Sequence, residues 1–256
     1  MSRVPYDDFA DIYDAWCASA PISQKNHGFY LKKLVDCPGP VAELGVGNGR
    51  ICIEVAKQGK RITGVDSSGA ILELCRKRSR EAGVSERLNL VQADFRDFVL
   101  PEPAELIVIP FHSIGHLLTD EDKLRAMRQI RSQLERGGRF IFDHFIFDPK
   151  FTEPGVPHLR AEFRNAETGR DHLLWEASTR DMDHQLIRIV AWTDEIDYIG
   201  IVVSRRYRRM NLSWITPEQS LRLLEEAGFE VETVYGDFEE NPLGESSTHQ
   251  IWVARK

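Results

Sequence analysis

The segment VAELGVGNGR (41–50) places three alternating glycines, Gly45, Gly47 and Gly49, directly after a short apolar run. Glycines where a strand meets a helix let backbone N–H groups approach a ligand, and the helix N-terminus adds a positive dipole. The chemistry on offer is nucleotide binding. A dinucleotide fingerprint, G-x-G-x-x-G/A, needs a small sixth residue for close packing. Counting from Gly45, the sixth residue is Arg50 and the spacing is G-x-G-x-G, which argues against NAD or FAD. Two carboxylates extend the pattern. Asp66, in GVDSS, can accept both hydroxyls of a ribose or cap the following helix. Asp94, in QADF, suits an adenine amino group, with Phe95 beside the ring.

Strand ends are needed to bring these residues together, and the sequence supplies them. Short β-like runs occur at 40–44, 61–66, 88–94, 105–110 and 139–145, with helical runs between them. Asn48 is a candidate cap for a helix over 49–58. AILELCRKRSREAG (70–83) ends on a glycine, and 120–138 starts acidic and ends basic as the helix dipole prefers. Strands alternating with helices predict a parallel sheet covered on both faces. Residues 148–214 break the rhythm with turn-punctuated β-like runs, which predict an antiparallel insert of about four strands. A helix over 216–229 follows, with Thr216 as N-cap, Pro217 in the first turn and Gly228 as its stop; two strands near 231–238 and 248–255 form a final hairpin.

Three successive strand ends would hold an amino acid, a ribose and an adenine, and that set describes S-adenosylmethionine. The chain resembles class I S-adenosylmethionine-dependent methyltransferases in ELGVGNGR (43–50), GVDSS (64–68), QADFRDF (92–98), IPFHSIGHL (109–117) and LERGGRFIFD (134–143). A closer likeness is to small-molecule N-methyltransferases, including antibiotic amino-sugar dimethyltransferases, through YDDFADIYD (6–14), FHSIGHL (111–117), the insert and an AGF turn (227–229). The resemblance implies a Rossmann-like α/β fold: a mostly parallel seven-stranded sheet with helices on both faces. It divides the chain into a methyltransferase domain (1–147 and 215–256) with an N-terminal helical lid, and an insert (148–214) serving substrate or assembly. It implies that Gly45, Gly47 and Gly49 pass along the methionyl part of the cofactor and that Glu43 orients the loop or the amino group. Arg50 would pair with the cofactor carboxylate or with an N-terminal acid. Asp66 would bind the ribose; Ser67, Ile71, Asp94 and Phe95 would surround the adenine, with Ile71 where the family often has Met. Pro110 and Phe111 would lie below the sulfonium, and Tyr13 would close over the cofactor.

Candidates for the acceptor side are Tyr6, Tyr13 and Trp16 on the N-terminal segment, whose spacing shares a face with Phe9. His112, His116 and His144 follow the fourth and fifth strands, where open α/β sheets bind ligands. Asp143 either caps or meets substrate. Methyl transfer from a sulfonium requires in-line placement of a lone pair, and a nitrogen acceptor must be neutral. Tyr13 and His116 lead as catalytic groups, with Tyr6 and His112 beside them. An O- or carboxyl-methyltransferase and a non-catalytic cofactor-binding regulator are the alternatives. No metal-ligand cluster stands out.

The whole chain sets further bounds. Its 256 residues are 42% hydrophobic and 29% charged, with a formal net charge of -7, which opposes broad nucleic-acid or anionic-membrane binding. The basic run RRYRRMNLSW (205–214) reads as a strand with a solvated arginine face rather than a nucleic-acid patch; in a third reading, one arginine meets an acidic group on the substrate. Four cysteines lack metal or disulfide spacing, and no run approaches a membrane span. The expectation is a cytoplasmic protein acting on a small molecule and assembling as a homo-oligomer through the insert.

Overall fold

The computed structural model describes residues 5–19, 23–148, 155–165 and 168–256. Its centre is a seven-stranded sheet of β1 (Val41–Leu44), β2 (Ile62–Asp66), β3 (Leu88–Gln92), β4 (Ala104–Ile109), β5 (Leu134–Phe145), β10 (Glu230–Tyr235) and β11 (His249–Arg255). The spatial order is β10-β11-β5-β4-β1-β2-β3. All neighbours pair in parallel except β11, which runs antiparallel to both β5 and β10. The chain leaves β1 for β2 and β3 on one side, then returns to β4 and β5 on the other. The crevice of an open α/β sheet lies at such a reversal, outside the carboxyl ends of the strands.

Alternation along the strands sends successive side chains to opposite faces. Ala42, Leu44, Ile107, Ile109, Phe140 and Phe142 join one core with α5 (Asp120–Gln133) and α6 (Pro217–Glu226). Val41, Leu106, Val108 and Ile141 join the other with α2 (Ser23–Asp36), α3 (Cys52–Lys57) and α4 (Gly69–Glu81). Both faces of the sheet are therefore covered. Helix α6 starts as its sequence demands: the Thr216 side chain accepts from Gln219 N and Gln219 returns a bond to the cap backbone, with Pro217 in the first turn.

Two expectations are corrected, and one helix is added. Helix α3 is shorter than 49–58, with Ile51 rather than Asn48 at its N-cap position, because Asn48 donates its side-chain amide to Asp14 (2.7 Å). Helix α5 stops at Gln133 instead of reaching 138: Gly137 sits at φ +80°, and Gly138 lies so close to the carbonyls of Ala104 and Glu105 that a Cβ would crowd them, so the chain turns into β5. Helix α2 has no counterpart in the sequence reading, although Phe29, Tyr30 and Leu34 mark its buried side.

The insert is a separate antiparallel sheet, β6 (His158–Arg164), β7 (Asp171–Asp181), β8 (Leu186–Ile196) and β9 (Val202–Ser213), in that order. The N-terminal segment, a 3-10 stretch (Pro5–Ile12) followed by α1 (Tyr13–Ala18), lies on it. Phe9, Ile12 and Trp16 bury against Leu174, Ile189, Ala191 and Met210, a third core. Each large apolar side chain buried there contributes about 2 kcal/mol. Below this layer Arg208, buried, bonds Asp11 (2.6 Å), the Asp8 carbonyl (2.7 Å) and Thr193 (3.1 Å). The solvated face expected for the basic run thus describes exposed Arg205 and Arg206, which pair with Asp194 and Asp11, but not Arg208.

Candidate active site

A cavity of about 480 Å³ opens where the strand order reverses, within the usual range for small-molecule sites. Its floor comes from the ends of β1 to β4, and its roof from the N-terminal segment and from Arg209, Met210 and Asn211 of β9. The glycine loop begins this floor. Gly45, Gly47 and Gly49 have φ values of +75°, +59° and +89°, the left-handed region that glycine enters without a Cβ penalty. Gly45 and Val46 donate to the Val65 carbonyl (2.8 and 3.1 Å), which ties the loop to β2. At Gly47 a Cβ would collide with the Tyr13 hydroxyl.

Asp66 is pre-set at the end of β2. Its Oδ2 accepts from Gly47 N (3.0 Å) and its Oδ1 from Ser68 N (2.9 Å). Ser68, not Asp66, caps α4, accepting from Ile71 N (3.1 Å), and its hydroxyl donates to Asp7 (2.6 Å). Burial raises the Asp66 carboxyl above its ordinary value against the pull of these amides. Asp94 differs: against the cost of burial, the Arg96 guanidinium holds its pKa down, bonding both carboxylate oxygens at 2.8 Å. Any adenine contact by Asp94 must share that carboxylate with Arg96. The sequence reading missed this clamp, though Arg96 stands only two residues on.

Glu43 also lines the cavity and is buried, with its Oε2 unpaired. Burial pushes its carboxyl well up, while Arg50 opposes the shift. A buried, unpaired carboxylate oxygen is costly unless a donor arrives, and a ligand ammonium is such a donor. Arg50 pairs with no acid among the described residues; Asp14 is taken by Asn48 and Arg78, and the Arg50 guanidinium sits over the Phe111 ring, 4.8 Å from its centroid. Arg50 is therefore available to a carboxylate beside Glu43. This opposed pair matches the two charges of an amino-acid end, and Asp66 matches a ribose beyond it. The residues present fit S-adenosylmethionine.

The same cavity is also lined by Tyr6, Tyr13, Trp16, His116, Leu117, Leu118, Met210 and Asn211. Tyr6 meets His116 edge-on (4.9 Å between centroids) and Tyr13 at 5.9 Å. Burial raises both phenols, so both stay protonated, and burial lowers His116 to about 4, so its imidazole is neutral.

Of the residues singled out from sequence, the cavity brings together Tyr6, Tyr13, Trp16, Glu43, Gly45, Arg50, Asp66, Ser67, Asp94, Phe95, Pro110, Phe111 and His116. Gly47 and Gly49 shape the loop from behind, under Tyr13 and against Cys75 and Ile53 respectively. Ile71 is buried in α4 and does not line the cavity. His112 and His144 are likewise outside its lining. His112 stacks on His249 and Phe111, and its Nε2 lies 3.3 Å from Asp143 without hydrogen-bond geometry. His144 packs against Gly115 and the His112 ring, with Nδ1 3.0 Å from the Phe145 carbonyl. Burial lowers both to about 3. Asp143 neither caps a helix nor lines the cavity; it binds the loop after β4.

Residues 41–138 match the family model described as a methyltransferase domain. These residues carry an S-adenosylmethionine-dependent methyltransferase domain. An uncharacterised methyltransferase of Geobacillus sp. (strain WCH70) is 34% identical over 148 residues, covering 56% of this chain and 66% of that relative, just under two thirds of its length. Among solved structures, the methyltransferase CcbJ from Streptomyces caelestis is 23% identical with a TM-score of 0.82, covering 100% of this chain and 99% of its own. An amino pentose methyltransferase from Micromonospora echinaspora, solved with S-adenosylmethionine bound, is 19% identical with a TM-score of 0.71, covering 95% and 96%. Both structural likenesses include the insert, so the methyltransferase fold extends over the full chain.

Proposed function

We propose that this chain transfers a methyl group from S-adenosylmethionine to a nitrogen of a small molecule, an amine of antibiotic or other secondary-metabolite biosynthesis. The observation that carries the reading is the make-up of one cavity, which gathers Glu43, Arg50 and Asp66 together with two phenols, a neutral imidazole and apolar walls. When bound, S-adenosylmethionine supplies an electrophilic methyl group on a sulfonium. Glu43 and Arg50 hold the amino-acid end and Asp66 the ribose, while Phe95 and Asp94 receive the adenine. Tyr6, Tyr13 and Trp16 cover the cavity and exclude water. A neutral His116 and two protonated phenols position an amine that arrives uncharged, His116 accepting a hydrogen bond from its N–H, and the methylated ammonium then passes its proton to water. A hydroxyl acceptor needs a stronger base, and an imidazole lowered to about 4 is a weak one. This favours nitrogen over oxygen, and a structural neighbour named as a sugar N-methyltransferase is in keeping with it.

A panel of amines, alcohols and carboxylic acids incubated with S-adenosylmethionine tests the proposal, with products read by mass and by hydrolysis. N-methylated product is expected. Tyr13→Phe and His116→Ala should each lower turnover by at least about 100-fold, while affinity for S-adenosylhomocysteine stays within about threefold. Unchanged turnover in both removes these roles. Ester or ether products favour the oxygen reading, and tight cofactor binding with no product from any acceptor favours a non-catalytic regulator. The insert, whose β9 walls the cavity, is read as selecting the acceptor and pairing subunits. The turn between β8 and β9 exposes Tyr198 (97%) and Ile199 (63%), apolar surface suited to a second copy. A monomer by light scattering at micromolar concentration would remove the assembly.

A further inference from the structure

Two consecutive residues at the edge of the cavity hold a backbone conformation that side chains rarely adopt, Phe111 at φ +60° and His112 at φ +58°. Neither is glycine, and such residues persist only where their surroundings over-determine them. What holds them is Asp143, fully buried in β5. Its Oδ1 accepts from Phe111 N (2.8 Å) and its Oδ2 from His112 N (3.2 Å). Successive amides aimed at one anion form a nest, and the anion here is the protein's own carboxylate. Helix α2 fixes that carboxylate from the other side: Tyr30 Oη (2.7 Å) and Asn26 Nδ2 (3.1 Å) both donate to Oδ1. Side-chain and backbone donors from α2 and the loop after β4 therefore converge on one residue of β5.

The loop so held is part of the site. Its Pro110, Phe111, Ser113 and His116 line the cavity, and the Phe111 ring carries the Arg50 guanidinium. Ser113 closes the turn onto the Pro110 carbonyl (2.7 Å) and lies against Gly45. A shift at Phe111 would therefore move Arg50 and the wall facing the glycine loop together.

We propose that Asp143 is a positioning residue for methyl transfer: its carboxylate, as the anion of an internal nest, locks the Phe111–His112 backbone and so sets the Phe111 ring and Arg50 in the cavity. This rests on the methyltransferase reading of the site. The groups facing the carboxylate are Tyr30 and Asn26 from α2, His112 from the loop and His249 from β11, with His144 adjacent on β5. Burial pushes Asp143 up to about 6, against the pull of Tyr30 and the two amides. The imidazoles of His112 and His144 stay neutral down to about 3. Turnover is therefore expected to fall as pH drops through about 6, where the nest loses its anion.

The test uses the full chain with Asp143→Asn and the milder Tyr30→Phe, which keeps the carboxylate but removes one donor. Asp143→Asn should lower kcat by about 100-fold, weaken binding of S-adenosylhomocysteine by more than about threefold because Arg50 moves with the Phe111 ring, and abolish the acid limb of the pH profile. Tyr30→Phe should keep the limb and shift it to higher pH, because the lost bond had lowered the Asp143 pKa. In 15N NMR the amide signals of Phe111 and His112 should titrate with the same midpoint, shift with it in Tyr30→Phe and stop titrating in Asp143→Asn. Wild-type kcat in Asp143→Asn, or an unmoved midpoint in Tyr30→Phe, overturns the proposal; should Asp143→Asn fail to fold, the Tyr30→Phe midpoint decides alone. The amide signals report on the nest without methyl transfer. An intact nest in a protein that methylates nothing refutes the reading of the site and Asp143's role with it, whereas methyl transfer indifferent to the nest refutes the role alone.

Discussion

Asp66→Asn is the most informative single change at the cofactor end. The substitution is nearly isosteric but replaces one acceptor oxygen by a donor. In the fold each Asp66 oxygen already accepts one amide, Gly47 N on Oδ2 at 3.0 Å and Ser68 N on Oδ1 at 2.9 Å. A carboxylate oxygen has a second lone pair, so each keeps capacity for a ribose hydroxyl. An asparagine would set its NH2 against one of the two amides and offer one ribose acceptor instead of two. A hydrogen bond to a charged group is worth roughly 1.5–3 kcal/mol, and each 1.4 kcal/mol is tenfold in Kd. Losing one such bond should weaken binding of S-adenosylhomocysteine by about 10- to 100-fold. Calorimetric titration of wild type and variant gives the ratio directly, and urea unfolding without ligand separates it from loss of the loop. NAD titrated in parallel should bind neither protein, since Arg50 occupies the place of the third fingerprint glycine. A variant that binds S-adenosylhomocysteine within threefold of wild type would refute the ribose assignment, and saturable NAD binding would refute the reading of the loop.

Gly47→Ala should lower both stability and turnover. The left-handed backbone alone costs about 1–2 kcal/mol for an L side chain, and the new methyl would displace the Tyr13 hydroxyl; a thermal melt and an activity assay matching wild type would contradict this. Lys123 is 2% exposed in α5, bonds Ser213 Oγ at 2.9 Å, and is lowered by burial from 10.5 to about 8. Because its folded value lies below the unfolded one, the unfolded chain binds the extra proton between those values, and stability rises with pH across that window. Lys123→Met should therefore stabilise the protein at pH 7 by up to about 3 kcal/mol, an advantage that shrinks above pH 8. Urea midpoints at pH 7 and pH 9.5 check both sign and window; a variant less stable at neutral pH would show that the Ser213 bond outweighs the buried charge.

Local signals carried much of this protein. The strand–helix rhythm identified the parallel sheet, and the glycine alternation at Gly45–Gly49 with the carboxylates Asp66 and Asp94 picked out residues that gather in one cavity region, because each depends on residues close in sequence to a strand terminus. Turn punctuation in 148–214 foretold a four-stranded antiparallel sheet, and Thr216, Pro217 and Gly228 bounded α6 by backbone chemistry alone. What remained hidden depends on contacts between distant segments. Asp143 meets Asn26 and Tyr30 from 117 and 113 residues away, so no spacing rule could pair them. The three histidines after β4 and β5 look equivalent in sequence, yet only His116 lines the cavity. The left-handed turn at Phe111–His112 carries His112 towards Asp143 and His249, while β5 turns His144 inward. Arg208 appeared to belong to a solvated face until the N-terminal segment docked on β9 and buried it. Sequence determines which backbone a segment can adopt; only tertiary packing decides which of several similar side chains is enclosed, paired and desolvated, because those outcomes depend on neighbours that folding alone brings near.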